Sequence, residues 1–216
     1  MSVTHSQIDR LEMVDRQLLA RGIRDERVLA VMRAVPRERF LPPEEIDQAY
    51  CDKALAVGFG QTISQPYIVG LMTEALEVSP IHRVLEIGTG TGYQTVILAM
   101  LAKRVFTIER LDALSCAAER RFSETGLANA EFRVGDGSIG WPEAAPFDRI
   151  MVTAAAPSVP AALVDQLADG GRMVVPVGEE GFQQLVRIER RAGRVIEQPM
   201  IAVRFVRLIG AAGYRE

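Results

Sequence analysis

The sequence predicts an α/β domain on a mostly parallel sheet, with an N-terminal helical cap and an antiparallel strand pair at its C-terminal end. Three observations predict it. After position 81, short β-branched runs alternate with helical segments; the first of these runs leads straight into a glycine-rich turn; and before position 35 the apolar residues recur at helical rather than strand spacing. Strands separated by helices pair in parallel and need cover on both faces, which is a Rossmann-like, doubly wound arrangement. A chain of 216 residues, 48% hydrophobic and 25% charged, has the balance of an ordinary globular protein and can bury a sizeable core. With no linker, repeat or low-complexity stretch, residues 1–216 are expected to form one domain.

The elements follow in order. Ile8, Leu11, Val14, Leu18 and Leu19 share one helical face, and Val28, Leu29, Val31 and Met32 share another. Between them Gly22 reads as a helix stop and Asp25 as the start signal of the next helix. Pro36, Pro42 and Pro43 then break the pattern, and residues 44–50 could form a short helix. Residues 66–76 read as a helix opened by Pro66. The strands are residues 83–87, 104–108, 130–134 and 149–153, with helices at 91–101 and 111–125 between the first three. A helix at 160–167 and a strand at 172–177 come next. Residues 183–189 and 194–203 close the chain as two strands joined at Ala192-Gly193.

Charge and cysteine content narrow the function. A formal charge of -3, with no local Lys/Arg cluster to offset it, gives no footprint for nucleic acid. The densest basic patch, Arg187, Arg190, Arg191 and Arg194, reads as the solvated end of a hairpin. Cys51 and Cys116 lie far apart and outside any CxxC pattern, which argues against a disulfide framework or a zinc site and fits a reducing compartment. The start, MSVTHSQIDRL, lacks the apolar run of a signal peptide, and no segment approaches membrane-spanning length. A cytoplasmic monomer with no nucleic-acid or membrane partner is therefore expected.

The sharpest local signal is Glu86-Ile87-Gly88-Thr89-Gly90-Thr91-Gly92, a strand running into a glycine turn and then a helix. Glycines there let the backbone bend tightly and let a ligand come close; the plain alternative is turn chemistry alone. A dinucleotide fingerprint would place its third glycine where Tyr93 stands, and the lysine and hydroxyl of a phosphate-binding P-loop are absent. The pattern E-x-G-x-G-x-G instead resembles the first motif of class I S-adenosylmethionine methyltransferases. Two acids suit that ligand. Glu109 ends the second strand of the core, where a carboxylate can accept both ribose hydroxyls. Asp136, within Gly135-Asp136-Gly137, follows the third, where it can accept from the adenine amino group. Either acid alone would be an ordinary loop residue; three strand ends agreeing on one ligand favour the site.

The acceptor is constrained by what is missing. His5 and His82 are the only histidines, both read as surface residues, and no His/Asp/Cys cluster has metal-ligand spacing. A neutral hydroxyl or amine usually needs a general base or a metal. A carboxylate is already ionised near neutral pH and needs only placement in line with the methyl group, with water excluded. Methyltransferases acting on DNA amino groups resemble one another in an acidic or amide residue, two prolines and an aromatic after the fourth strand. Here Thr153-Ala154-Ala155-Ala156-Pro157 stands instead.

The segment Gly60-Gln61-Thr62-Ile63-Ser64-Gln65-Pro66 resembles the signature of protein-L-isoaspartate O-methyltransferases. The similarity covers nearly the whole chain. It takes in Val35-Pro36-Arg37-Glu38 with Phe40, Ala49-Tyr50, residues 84–93, Gly135-Asp136-Gly137, Pro146-Phe147-Asp148, residues 153–157, and Gly170-Gly171 with Val175-Pro176-Val177-Gly178. The resemblance implies an enzyme that uses S-adenosylmethionine and releases S-adenosylhomocysteine, without a metal. It would methylate the isoaspartyl carboxylate of damaged proteins and peptides. It implies Ser64 as the catalytic residue, and Val57, Gly58, Thr62 and Ser64 as substrate contacts, residues 55–60 being the loop that meets the substrate backbone. It also implies Glu86, Gly88, Gly90, Gly92, Glu109, Asp136 and Gly137 as cofactor contacts. Residues 1–80 would thus be cap and acceptor segment, and 81–216 the cofactor-binding core.

Ser64 has no neighbouring histidine to make it a nucleophile, so it is read as orienting an anion by hydrogen bonding. The plain alternative is that Thr62 and Ser64 cap the helix that Pro66 opens. Ala56, Val57 and Arg207 depart from the family's usual residues, so no site residue is carried over from the C-terminal segment. Two rivals remain: methylation of a normal aspartate in one dedicated peptide, and a non-catalytic adaptor that binds cofactor and recognises isoaspartyl sites.

Overall fold

The computed structural model describes residues 5–179 and 181–215. The cap opens with α1 (His5–Met13), widens into one π-helical turn over Val14–Leu18 and tightens into a 3₁₀ turn, Leu19–Arg21. Gly22, at φ 99°, ends it in the left-handed region that a side chain would resist. Asp25 then caps α2 (Glu26–Ala34), its carboxylate accepting the Arg27 N–H at 2.9 Å. Both signals therefore fall where the sequence puts them. The widened turn has no sequence signature we could use. Residues 43–48 form a 3₁₀ helix, close to the short helix expected there.

A hairpin of β1 (Leu55–Gly58) and β2 (Gln61–Ile63) follows, and its two strands are too short for any periodicity to reveal. From it the chain enters α3 (Pro66–Leu76). The core then alternates β3 (Arg83–Ile87), α4 (Tyr93–Leu101), β4 (Arg104–Glu109), α5 (Asp112–Ser123), β5 (Ala130–Val134) and β6 (Phe147–Val152). The short α6 (Ala161–Asp165) leads to β7 (Leu167–Val177), longer than expected because Leu167 already pairs with Phe147. The hairpin of β8 (Gln183–Arg191) and β9 (Arg194–Val203) completes the sheet.

The sheet order is β5-β4-β3-β6-β7-β8-β9, parallel from β5 to β7 and antiparallel beyond. This is the doubly wound, mostly parallel sheet with an antiparallel C-terminal pair that the sequence predicts. Alternate strand residues go to opposite faces. Val84, Val105, Met151 and Val174 join one buried cluster with Leu29, Met32 and Leu76 of the cap. Leu85, Phe106, Ile150 and Met173 join a second cluster with Leu163 of α6. Burying each such side chain is worth about 1.5–3 kcal/mol, so both faces hold the strands in register. The order reverses at β3, whose two neighbours are β4 and β6. That switch point opens a crevice at the carboxyl ends of the strands.

Candidate functional site

A cavity of about 370 Å³ occupies that crevice, within the range of small-molecule sites. The loop after β3 supplies one wall through Gly88, Thr89, Gly90 and Thr91, and the end of β4 adds Glu109 and Arg110. The same cavity is also lined by Gly60, Gln61, Thr62, Ile63 and Ser64, the return strand of the short hairpin and the turn after it.

The glycines of the loop do different jobs. At Gly88 (φ 93°) an added Cβ would stand 2.3 Å from the Thr153 hydroxyl, which itself donates to the Ile87 or Gly88 carbonyl at 2.9 and 2.7 Å. At Gly92 it would press on Ala118 of α5 at 3.2 Å, a packing requirement outside the cavity wall. Gly90 differs: it lines the cavity, and a Cβ there meets no protein atom within 4 Å. A side chain at Gly90 would take up open space that a ligand needs.

Glu109 is 6% exposed and reaches back under this loop. Its carboxylate accepts the Gly90 N–H at 2.9 Å and the Leu111 N–H at 3.1 Å, while the residue still forms part of the wall. Glu86 lies deeper, fully buried and off the wall. One of its oxygens accepts from Thr95 at 2.6 Å and from Thr107 at 2.7 Å; because Thr107 donates there, the Thr89 hydroxyl must donate to Thr107, 2.6 Å away. Burial pushes the Glu86 carboxyl up to about 7, against the two threonine hydroxyls and with a small push from the Glu109 charge. The second Glu86 oxygen has no hydrogen-bond partner. Glu86 thus supports the loop through Thr107 and Thr89.

Asp136 also stands behind the wall. One carboxylate oxygen accepts from the Ser138 N–H and hydroxyl at 2.8 and 2.7 Å, the other from the Ala211 N–H at 2.7 Å. Partial burial raises its pKa, but the Ala211 and Ser138 donors outweigh this and hold it below the usual carboxylate range. Gly137 does line the cavity, and a Cβ there would strike Ile87 at 2.5 Å.

Thr62 and Ser64 line the cavity, whereas Val57 and Gly58, on the other strand of the hairpin, do not. The helix-capping role for Ser64 is corrected. The N-cap of α3 is Gln65, with no side-chain cap bond, so neither hydroxyl caps the helix. Pro66 supplies the fixed φ that starts it instead.

The sequence reading missed the third wall, formed by Phe205, Val206, Arg207, Leu208 and Ile209. No strand or helix pattern marks this strap. It is tied down by tertiary bonds: Val206 and Leu208 bracket Ala155 at 2.8 Å each, the Gln183 amide both donates to and accepts from the Phe205 backbone, and Tyr214 donates to the Gly178 carbonyl at 2.7 Å. Ala211 on Asp136 completes the set. Among the described residues no histidine or cysteine lines the cavity, and Glu109 is its one carboxylate.

A glycine loop at the switch point, an acid at the end of the neighbouring strand and a cavity shared with residues 60–64 are the arrangement expected of an S-adenosylmethionine-dependent methyltransferase. Comparison with known proteins narrows the class. The family model described as Protein-L-isoaspartate(D-aspartate) O-methyltransferase (PCMT) matches residues 9–213. A protein-L-isoaspartate O-methyltransferase of Methanoregula boonei is 52% identical over 206 residues, covering 95% of each chain. One from Geobacter metallireducens is 50% identical over 208 residues, 96% of each. A solved protein-L-isoaspartate O-methyltransferase superposes with a TM-score of 0.85 at 27% identity, over 96% of this chain and 67% of the other. A Plasmodium falciparum structure of the same description, in complex with S-adenosyl-L-homocysteine, gives 0.80 at 26% identity, over 93% and 98%. The chain belongs to the protein-L-isoaspartate(D-aspartate) O-methyltransferase family.

Proposed function

We propose that this protein transfers the methyl group of S-adenosylmethionine to the free carboxylate of L-isoaspartyl residues in damaged proteins and peptides, initiating their repair, and that the cavity at the switch point is where it does so. The observation that carries the reading is that a single cavity is lined by both the glycine loop and the Gln61–Ile63 strand with Ser64. The open space at Gly90 and the strand-end acid Glu109 fit the cofactor. When bound, S-adenosylmethionine supplies a methyl group on a positively charged sulfur, ready for transfer to a nucleophile.

The chain's own residues then hold and shield. Gly88, Gly90 and Gly137 keep the wall close to the cofactor, and Glu109 accepts from the ribose hydroxyls while remaining anchored by two backbone N–H groups. Glu86, Gly92 and Asp136 act at one remove, by fixing the loop, its helix and the strap. Thr62 and Ser64 donate hydrogen bonds to the acceptor carboxylate, and Val57 and Gly58 shape the hairpin that receives the peptide backbone. No proton need be removed from the acceptor, in keeping with a wall that carries no histidine and whose one acid is already engaged. The strap 205–209 excludes water from the reacting atoms. The exposed thiols of Cys51 and Cys116 suit a cytoplasmic setting, and no helix among the described residues is long and apolar enough to cross a membrane.

The product bond tests the acceptor class. With labelled S-adenosylmethionine and an isoaspartyl peptide, the transferred label should leave as methanol in mild base, as a carboxyl ester does. Label that survives base would mean methylation of an atom other than a carboxylate oxygen, and would contradict the reading.

A further inference from the structure

The tip of the β1–β2 hairpin breaks two local rules at once. Gly58 pairs with Gln61, leaving Phe59 and Gly60 as the turn, and both have positive φ, 54° and 69°. That pair of angles is what a two-residue type I′ hairpin turn requires, and asparagine or glycine suits its first position. A phenylalanine there carries the steric penalty of the left-handed region. Its ring is also 65% exposed, and the Gln61 amide, itself on the cavity wall, holds the Phe59 carbonyl at 3.3 Å. A lone exposed phenyl is ordinary on a protein surface. An exposed phenyl at a strained turn position, next to the first residue of the acceptor wall, is not. Local rules that a sequence breaks without gain to the fold are broken where function gains.

We infer that Phe59 is a specificity-determining residue: it offers an apolar face, continuous with the acceptor wall, to a large apolar side chain adjoining the isoaspartyl residue of the substrate. This deepens the function proposed above and rests on it. An incoming peptide must cross the rim of the cavity to present its carboxylate to Thr62 and Ser64. The hairpin tip adjoins the cavity through Gly60, with its phenyl exposed. Desolvating a phenyl against a leucine is worth about a tenfold preference over a small polar neighbour.

The test uses two isoaspartyl peptides that differ only in having Leu or Ser on both sides of the isoaspartate. The unaltered protein should show a kcat/KM about tenfold higher for the Leu-flanked peptide. Phe59→Asn should abolish that preference without lowering the melting temperature, since asparagine suits the turn. Phe59→Ala should abolish it as well. Phe182, 89% exposed at the β7–β8 turn and outside the cavity wall, provides the control, and Phe182→Ala should keep the preference. A preference that survives Phe59→Asn, that is lost equally in Phe182→Ala, or that the unaltered protein never shows would overturn the role of Phe59 while leaving the function intact. Turnover of neither peptide by the unaltered protein would overturn the proposed function, and this inference with it.

Discussion

At the scale of single residues, Ser64 and Glu86 make opposite forecasts, one for turnover and the other for stability. Ser64 makes no cap bond to α3, so Ser64→Ala should leave the melting temperature nearly unchanged. Loss of a donor to an anion in the transition state should instead lower kcat, by about tenfold to a hundredfold, with cofactor affinity kept. Stopped turnover together with weakened cofactor binding would instead point to a wall that has collapsed. Glu86 behaves differently because it is buried. Its folded-state pKa is raised to about 7 from 4.5, so the folded protein holds a proton there that the unfolded chain releases. The contribution is fully present below about pH 4.5 and declines as the pH rises to about 7, where the cost of an ionised buried carboxylate is felt in full. Glu86→Gln stays neutral and keeps an acceptor for Thr95 and Thr107. The difference in unfolding free energy, variant minus wild type, should therefore grow in the variant's favour between pH 4.5 and 7, by a few kcal/mol at most. Parallel stability curves from denaturant titrations across that range would contradict this.

At the scale of elements, the strap 205–209 is the part whose order depends most on side chains elsewhere. Gln183 alone satisfies both the N–H and the carbonyl of Phe205. Gln183→Ala should cost about 1–3 kcal/mol for the groups left unpaired, and should speed amide hydrogen exchange over residues 205–209 before it affects β3 or β4. Uniform acceleration across the sheet would show that the strap has no separate opening. The same contrast explains what the sequence made legible. β3, β4 and β6 are runs of apolar, β-branched residues buried on both faces, and the loop after β3 announces itself by three glycines, so the sheet and the cofactor side could be read directly. The β1–β2 hairpin was read as a loop because strands of three and four residues carry no period. The strap carries no such signal because it is held by Ala155 and Gln183, 22 or more residues away in sequence. The sequence points to Glu86 and Asp136 as ligand contacts because each ends or follows a strand. Their partners, Thr95 and Thr107 for one and Ser138 and Ala211 for the other, become visible only when the chain is folded.

For the molecule as a whole, the sheet fixes one set of strand ends, and the hairpin and the C-terminal strap line the cavity beside them. On the proposed reading the site acts by placement: its selectivity comes from where the acceptor carboxylate sits relative to the methyl donor. The most direct measurement is the rate of methyl transfer from S-adenosylmethionine to an isoaspartyl peptide beside its normal aspartyl isomer. The two carry the same carboxyl chemistry and differ in the path of the backbone to it. A site that works by geometry should turn over the isoaspartyl peptide faster by several powers of ten. Equal rates on the two isomers would contradict the account.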